Sequence, residues 1–253
     1  MNSSPIIMIT GATAGFGEAC ARLFAKAGWR LIITGRRLER LQSLQAELGG
    51  ASQVCISCFD ISDRQATEQA FAELPEEFQQ IDVLVNNAGL ALGLEPAYAT
   101  DPEDWERMVD TNIKGLMRCS RLVLPGMQSR DRGYIINIGS VAGNWPYPGG
   151  NVYCASKAFV RQFSLALRAD LLGTQIRVTN IEPGNAETEF SIVRFKADEQ
   201  RAEKVYQNTV ALTAQDIADT IWWLVNTPAH MNVTTMEIMP TQQATGPLAI
   251  YRG

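Results

Sequence analysis

The chain has 253 residues, 46% hydrophobic and 19% charged, which suits one α/β domain with a large buried core better than two small domains. A formal net charge of −5 argues against nucleic acid or an anionic membrane surface as the main partner, so a bound anion must be held by local groups. No basic region precedes a long apolar segment, and no apolar run reaches the roughly 18 residues of a membrane span, so a cytoplasmic protein is expected.

Short β-branched runs alternate with longer amphipathic stretches. Ile6 to Thr10 predicts a strand ending in the turn Thr10-Gly11-Ala12-Thr13-Ala14-Gly15-Phe16-Gly17, and Glu18 to Ala27 a helix stopped at Gly28. Arg30 to Thr34 and Gln53 to Phe59 predict strands, with helices over Leu38 to Leu48 and Asp63 to Leu74. Val83 to Val85 predicts a fourth strand leading into Asn86-Asn87-Ala88-Gly89. A long helix is expected from Pro102 to Met127, a strand at Tyr134 to Ile138, a helix at Val152 to Leu172 and a strand at Arg177 to Ile181. Gln215 to Thr227 then predicts a helix and Thr234 to Ile238 a last strand. Continuous buried runs separated by helices mean parallel strands with both sheet faces covered. The expected fold is therefore α/β, a single-domain, doubly wound (Rossmann) sheet, mostly parallel and of about seven strands, spanning residues 1–253. Residues 186–212 interrupt the alternation and read as a lid insert.

The five cysteines are irregularly spaced, as reduced thiols are. Cys55-Ile56-Ser57-Cys58 is formally a CxxC, but there is no second pair and the single His, His230, stands apart from any acid or nucleophile. No metal site is expected.

The chemistry lies at strand ends. Gly11, Gly15 and Gly17 let the backbone turn tightly and approach a pyrophosphate, whose charge meets the N–H groups opening the next helix. Their spacing is G-x-x-x-G-x-G. After the second strand the chain reads Thr34-Gly35-Arg36-Arg37, without the acid that NAD enzymes place there to bind ribose hydroxyls. Two guanidiniums suit a 2′-phosphate, which favours NADP; the alternative is an exposed basic helix start. Asp60, after the third strand, is placed to meet an adenine edge, and Asn87-Ala88-Gly89 to pass beneath a ribose. Downstream stand Ser140, Tyr153 and Lys157, with Tyr153 and Lys157 four apart on one helical face.

These ordered signatures, together with Asn112 and Pro183-Gly184, closely resemble the classical short-chain dehydrogenases/reductases from residue 5 to about 240. Within that family the chain is most similar to bacterial NADP-dependent 3-hydroxy acid (serine) dehydrogenases. The narrower likeness lies in Gly11 to Gly17, Gly89 to Pro96, Leu124 to Met127, Asn144 to Tyr153, Lys157 to Leu165 and Tyr206 to Thr213. The resemblance implies a hydride transfer between NADP(H) and a short 3-hydroxy acid or its semialdehyde. The alternatives are a reductase of a larger carbonyl, such as a 3-oxoacyl thioester or a sugar, and an inactive NADP-binding regulator.

It also implies roles. Tyr153 is the general acid or base, and Lys157 lowers its pKa and binds the nicotinamide ribose. Ser140 hydrogen-bonds the substrate oxygen, and Asn112 holds a water that resupplies the proton. Cofactor contacts are expected from Gly11, Thr13, Ala14, Gly15, Phe16 and Gly17, from Arg36, Arg37, Asp60 and Ile61, and from Asn87, Ala88 and Gly89. Tyr153, Lys157, Pro183, Gly184 and Thr188 complete that set. Asn185 and Ala186 depart from the family pattern, placing a polar group and a small side chain beside the expected nicotinamide site. Trp145 and Tyr147 are candidate pocket walls. Arg194 is the cation chosen to meet a substrate carboxylate, or else a surface Arg on the lid. A homotetramer is a family expectation.

Overall fold

The computed structural model describes residues 4–246, so both ends of the expected 1–253 domain lie outside the described residues. Seven strands form one parallel sheet: β1 (Ile6–Ile9), β2 (Arg30–Gly35), β3 (Val54–Cys58), β4 (Val83–Asn86), β5 (Gly133–Ile138), β6 (Ile176–Pro183) and β7 (Thr235–Ile238). Their spatial order is β3-β2-β1-β4-β5-β6-β7. The order reverses between β1 and β4, and in such sheets a ligand crevice opens at the carboxyl ends of the strands there.

Alternation along each strand divides the core in two. Ile7, Ile9, Leu31, Ile33, Val85 and Ile136 face one layer, formed by α1 (Gly15–Lys26), α2 (Leu38–Glu47) and α9 (Ala214–Val225). Ile6, Met8, Ile32, Leu84, Ile135 and Val178 face the other, formed with α3 (Arg64–Ala72), α5 (Leu116–Ser129) and α6 (Asn151–Asp170). Strands buried on both faces explain why their sequences read as unbroken apolar runs. Local chemistry sets the helix starts. Asp63 and Asp101 accept the backbone N–H groups of Ala66 and Glu103, and Thr213 forms a capping box with Asp216.

The helix expected over 102–127 is three pieces. α4 (Pro102–Val109) passes into a π-helical turn over Asp110–Gly115 before α5 begins. A π turn is a recurrent mark of a functional position, and this one contains Asn112. The 186–212 insert contains α7 (Phe190–Arg194) and α8 (Glu199–Tyr206). A parallel bridge between Ala186 and Leu212 ties its two ends together. Cys55 and Cys58, three apart on β3, point to opposite faces of the sheet, which explains why the CxxC gathers no common site. His230 is exposed in the turn after α9.

Candidate active site

A cavity of about 350 Å³ runs along the carboxyl ends of the strands at the topological switch point. One end is lined by Gly11, Thr13, Ala14, Gly15 and Phe16, with Arg36, Arg37, Asp60 and Ile61 around it. Asn87, Ala88 and Gly89 line the middle, and Ser140, Tyr153, Lys157, Pro183, Gly184 and Thr188 the far end. Gly17, Asn112 and Arg194 stand behind or beside this surface rather than on it.

Gly17 is structural in a specific sense: a Cβ there would sit 2.5 Å from the Gly11 carbonyl oxygen and 2.6 Å from Asn87 Nδ2. Asn87 Nδ2 in turn donates to the Thr10 and Gly11 carbonyls at 2.8 and 3.0 Å, and Thr10 Oγ1 accepts from the Asn87 and Ala88 N–H groups at 3.0 Å. The glycine turn and the segment after β4 are thus one unit. Thr10 opens the glycine-turn motif in the sequence, but its bonds to the segment after β4 are seen only in the fold.

At the adenosine end, Asp60 Oδ1 accepts from Ser62 N and Oγ at 2.9 and 2.7 Å, and Oδ2 lies 3.5 Å from Arg36. Burial pushes this carboxyl up, but the Ser62 hydrogen bonds and the Arg36 charge outweigh it and hold the group below its ordinary value. Arg37 donates to Thr13 Oγ1 at 2.8 Å and to Glu189 at 2.9 Å, and Arg40 donates to Glu189 at 2.7 Å. Glu189 and Arg40 went unrecognised in the sequence, because nothing local links residues 149 apart.

At the other end, Tyr153 is buried and hydrogen-bonded to the Ser140 side chain. Ser140 Oγ also accepts from the Ala142 N–H at 3.1 Å. Lys157 Nζ donates to the Ile138 carbonyl at 2.8 Å and lies 5.8 Å from the Tyr153 ring centre. Burial pulls Lys157 down to about 8. The same burial raises the Tyr153 phenol, and the nearby Arg194 charge opposes it. Arg194 Cζ is 5.2 Å from the Tyr153 ring centre, and Arg194 donates to the Tyr147 hydroxyl at 2.8 Å. Its Nε is buried with no hydrogen-bond partner among the described residues. Of the two candidate wall residues, Tyr147 faces inward to Arg194, whereas Trp145 is exposed.

Asn112 Nδ2 spends both its N–H groups, on the Leu90 carbonyl at 2.8 Å and Ser156 Oγ at 3.1 Å. Its Oδ1 accepts from the Leu90 N–H at 2.8 Å, so the side chain clamps Leu90 while that oxygen keeps a second lone pair. Asn185 does not line the cavity, and its side-chain Nδ2 is buried without a hydrogen-bond partner among the described residues. Ala186 alone of the departing pair lines it.

Among the described residues no group of three or more His, Cys, Asp or Glu side chains comes together. No helix of the described residues is long and apolar enough to cross a membrane.

The short chain dehydrogenase family profile matches residues 5–199. The chain is 57% identical over 248 residues to an NADP-dependent 3-hydroxy acid dehydrogenase of Escherichia coli K12, covering 98% of this chain and 99% of the relative. It is 50% identical over 249 residues to a serine 3-dehydrogenase of Agrobacterium fabrum, with coverage of 98% and 99%. A structure of serine dehydrogenase in a closed form complexed with NADP+ superposes with a TM-score of 0.93 at 57% identity, covering 98% of this chain and all of that one. With the sheet order, the glycine turn and the Ser140–Tyr153–Lys157 cluster in place, the chain belongs to the short-chain dehydrogenase family.

Proposed function

We propose that this chain transfers a hydride between NADP(H) and a short 3-hydroxy acid, of the serine or 3-hydroxypropionate type, or its semialdehyde. The observation that carries the substrate class is Arg194, a guanidinium held beside Tyr153 by the Tyr147 hydroxyl with its Nε unpaired among the described residues. A cation within reach of the proton-transfer group suits a substrate whose carboxylate lies a few bonds from the reacting carbon. The cofactor fit rests on the glycine cradle, where a Cβ at Gly17 has no room, and on Arg36 at the adenosine end. NADP supplies the hydride chemistry itself.

In this reading Tyr153 gives a proton to the substrate oxygen in reduction and takes it in oxidation, and Ser140 holds that oxygen by a hydrogen bond. Lys157 binds the nicotinamide ribose, and Asn112 fixes the Leu90 segment beside it. Thr188, which abuts Gly15, begins a lid over residues 186–212. Phe190 packs on Tyr153 with ring centres 5.6 Å apart, so the insert reaches the proton-transfer group. The five free thiols support a reducing, cytoplasmic setting. A homotetramer is part of the proposal, supported by apolar side chains exposed on the long helices, such as Met117, and just beyond them, such as Leu172.

A spectrophotometric scan of NADPH turnover across short hydroxy acids, acyl thioesters and sugars tests the reading. Arg194→Ala then sharpens it: the KM for hydroxy acids should rise about ten- to a hundredfold, as expected for losing one charged hydrogen bond, with the KM for neutral alcohols nearly unchanged. Arg194 also favours the Tyr153 phenolate against burial, so its removal raises the phenol pKa further. Alcohol oxidation needs the phenolate, and the rising limb of its pH profile should therefore move to higher pH. Unaltered acid kinetics and an unmoved limb would return Arg194 to the surface.

A further inference from the structure

The lid insert is fastened at the end remote from the reacting atoms. Glu189, the residue before α7, places Oε2 2.9 Å from Arg37 NH1 and Oε1 2.7 Å from Arg40 NH1. Both arginines are anchored in turn. Arg37 donates to Thr13 Oγ1 through Nε and NH2, at 3.1 and 2.8 Å, and Arg40 donates to the Thr13 carbonyl at 3.3 Å. One carboxylate therefore joins the insert to the start of α2 and to the glycine turn. Five residues on, at the far end of the same helix, Arg194 stands over Tyr153. α7 is a single short lever with an ion-paired foot and a guanidinium tip.

We propose that Glu189 is a positioning residue: by latching α7 to Arg37 and Arg40 it holds Arg194 over Tyr153, which leaves Arg36 as the arginine that distinguishes a 2′-phosphate. Arg36 has no share in the Glu189 pairing, its acidic partner being Asp60 at the longer distance of 3.5 Å. Arg40 does not line the cavity, whereas Arg36, Arg37 and Glu189 do. The three latch side chains are each more than 40% exposed, so each pair by itself is weak. The latch derives its effect from fixing one carboxylate at two points at once. The superposition on a closed, NADP+-complexed relative supports this as the arrangement with the insert shut. The assignment rests on the reading of Arg194 as the substrate cation, but the latch itself is open to a measurement that needs no substrate.

The test compares Glu189→Gln, Arg40→Ala and the double variant in the full chain. Hydrogen exchange of the 190–206 amides should quicken about two- to fivefold in Arg40→Ala, which loses one exposed ion pair, and up to about tenfold in Glu189→Gln, which loses two. The double variant should be no faster than the quicker single one, because all three break the same contact. Arg64→Ala, which removes an exposed pair on α3, should leave these amides unchanged. The KM for a 3-hydroxy acid should rise with the exchange rate, and the NADPH-to-NADH preference should stay constant in Arg40→Ala while falling in Arg36→Ala. Exchange within twofold of wild type in both single variants overturns the latch. Faster exchange with an unchanged acid KM overturns the positioning of Arg194. A wild type without hydroxy acid turnover refutes the proposed substrate but leaves the exchange result to decide the latch.

Discussion

Tyr153→Phe should lower turnover by about 10²- to 10⁴-fold, the usual worth of a positioned acid–base group. The variant should still fold and bind NADPH, because the ring keeps its packing against Phe190 and loses only the hydroxyl bonded to Ser140. Lys157→Met should also be severe, for a different reason. Lys157 Nζ is tied to the Ile138 carbonyl at the end of β5, so its loss removes a fixed donor from the cavity wall along with the charge. Cofactor affinity should fall in Lys157→Met and hold in Tyr153→Phe. In the double variant the losses of turnover should not add, since either change disables the same proton transfer. Single-turnover kinetics with NADPH, beside a binding titration, separate the two effects. A folded Tyr153→Phe enzyme with near wild-type turnover would falsify the assignment of Tyr153 as the proton donor.

Arg36→Ala should weaken NADPH about ten- to a hundredfold, from roughly 1.5–3 kcal/mol for a lost charged hydrogen bond, and NADH hardly at all. The geometry around Gly35 makes the preference hard to reverse. A Cβ at Gly35 would lie 2.8 Å from Thr13 Cγ2, and Thr13 is itself held by Arg37. The acid that reads ribose hydroxyls in NAD enzymes therefore cannot be installed at this position without moving the Thr13 side chain. Fluorescence titration of both cofactors against wild type and Arg36→Ala measures the effect. Equal losses for both, or a wild type that prefers NADH, would remove Arg36 from the 2′-phosphate.

The sheet was legible in the sequence because its signals are local. β1, β2 and β4 are short apolar runs such as Ile6 to Ile9, buried on both faces, and helices α3, α4 and α9 begin at Asp63, Asp101 and Thr213 caps. The cavity lining was legible for the same reason, since strand ends converge at the switch point and the residues just after β1, β4 and β5 must meet there. The π turn at Asn112 was not. Its sequence keeps helical periodicity, and the extra residue per turn is imposed by the tertiary bonds of Asn112 to Leu90 and Ser156. The partners of the charged groups were equally hidden. Arg37 reads as a phosphate ligand from Thr34-Gly35-Arg36-Arg37 alone, and only the folded insert brings Glu189 to it across 152 positions. The fate of Tyr153 follows the same division. Its spacing from Lys157 is written in the chain, but burial and the arrival of Arg194 decide which charges its hydroxyl feels, and side-chain electrostatics depend on distances that only tertiary packing sets.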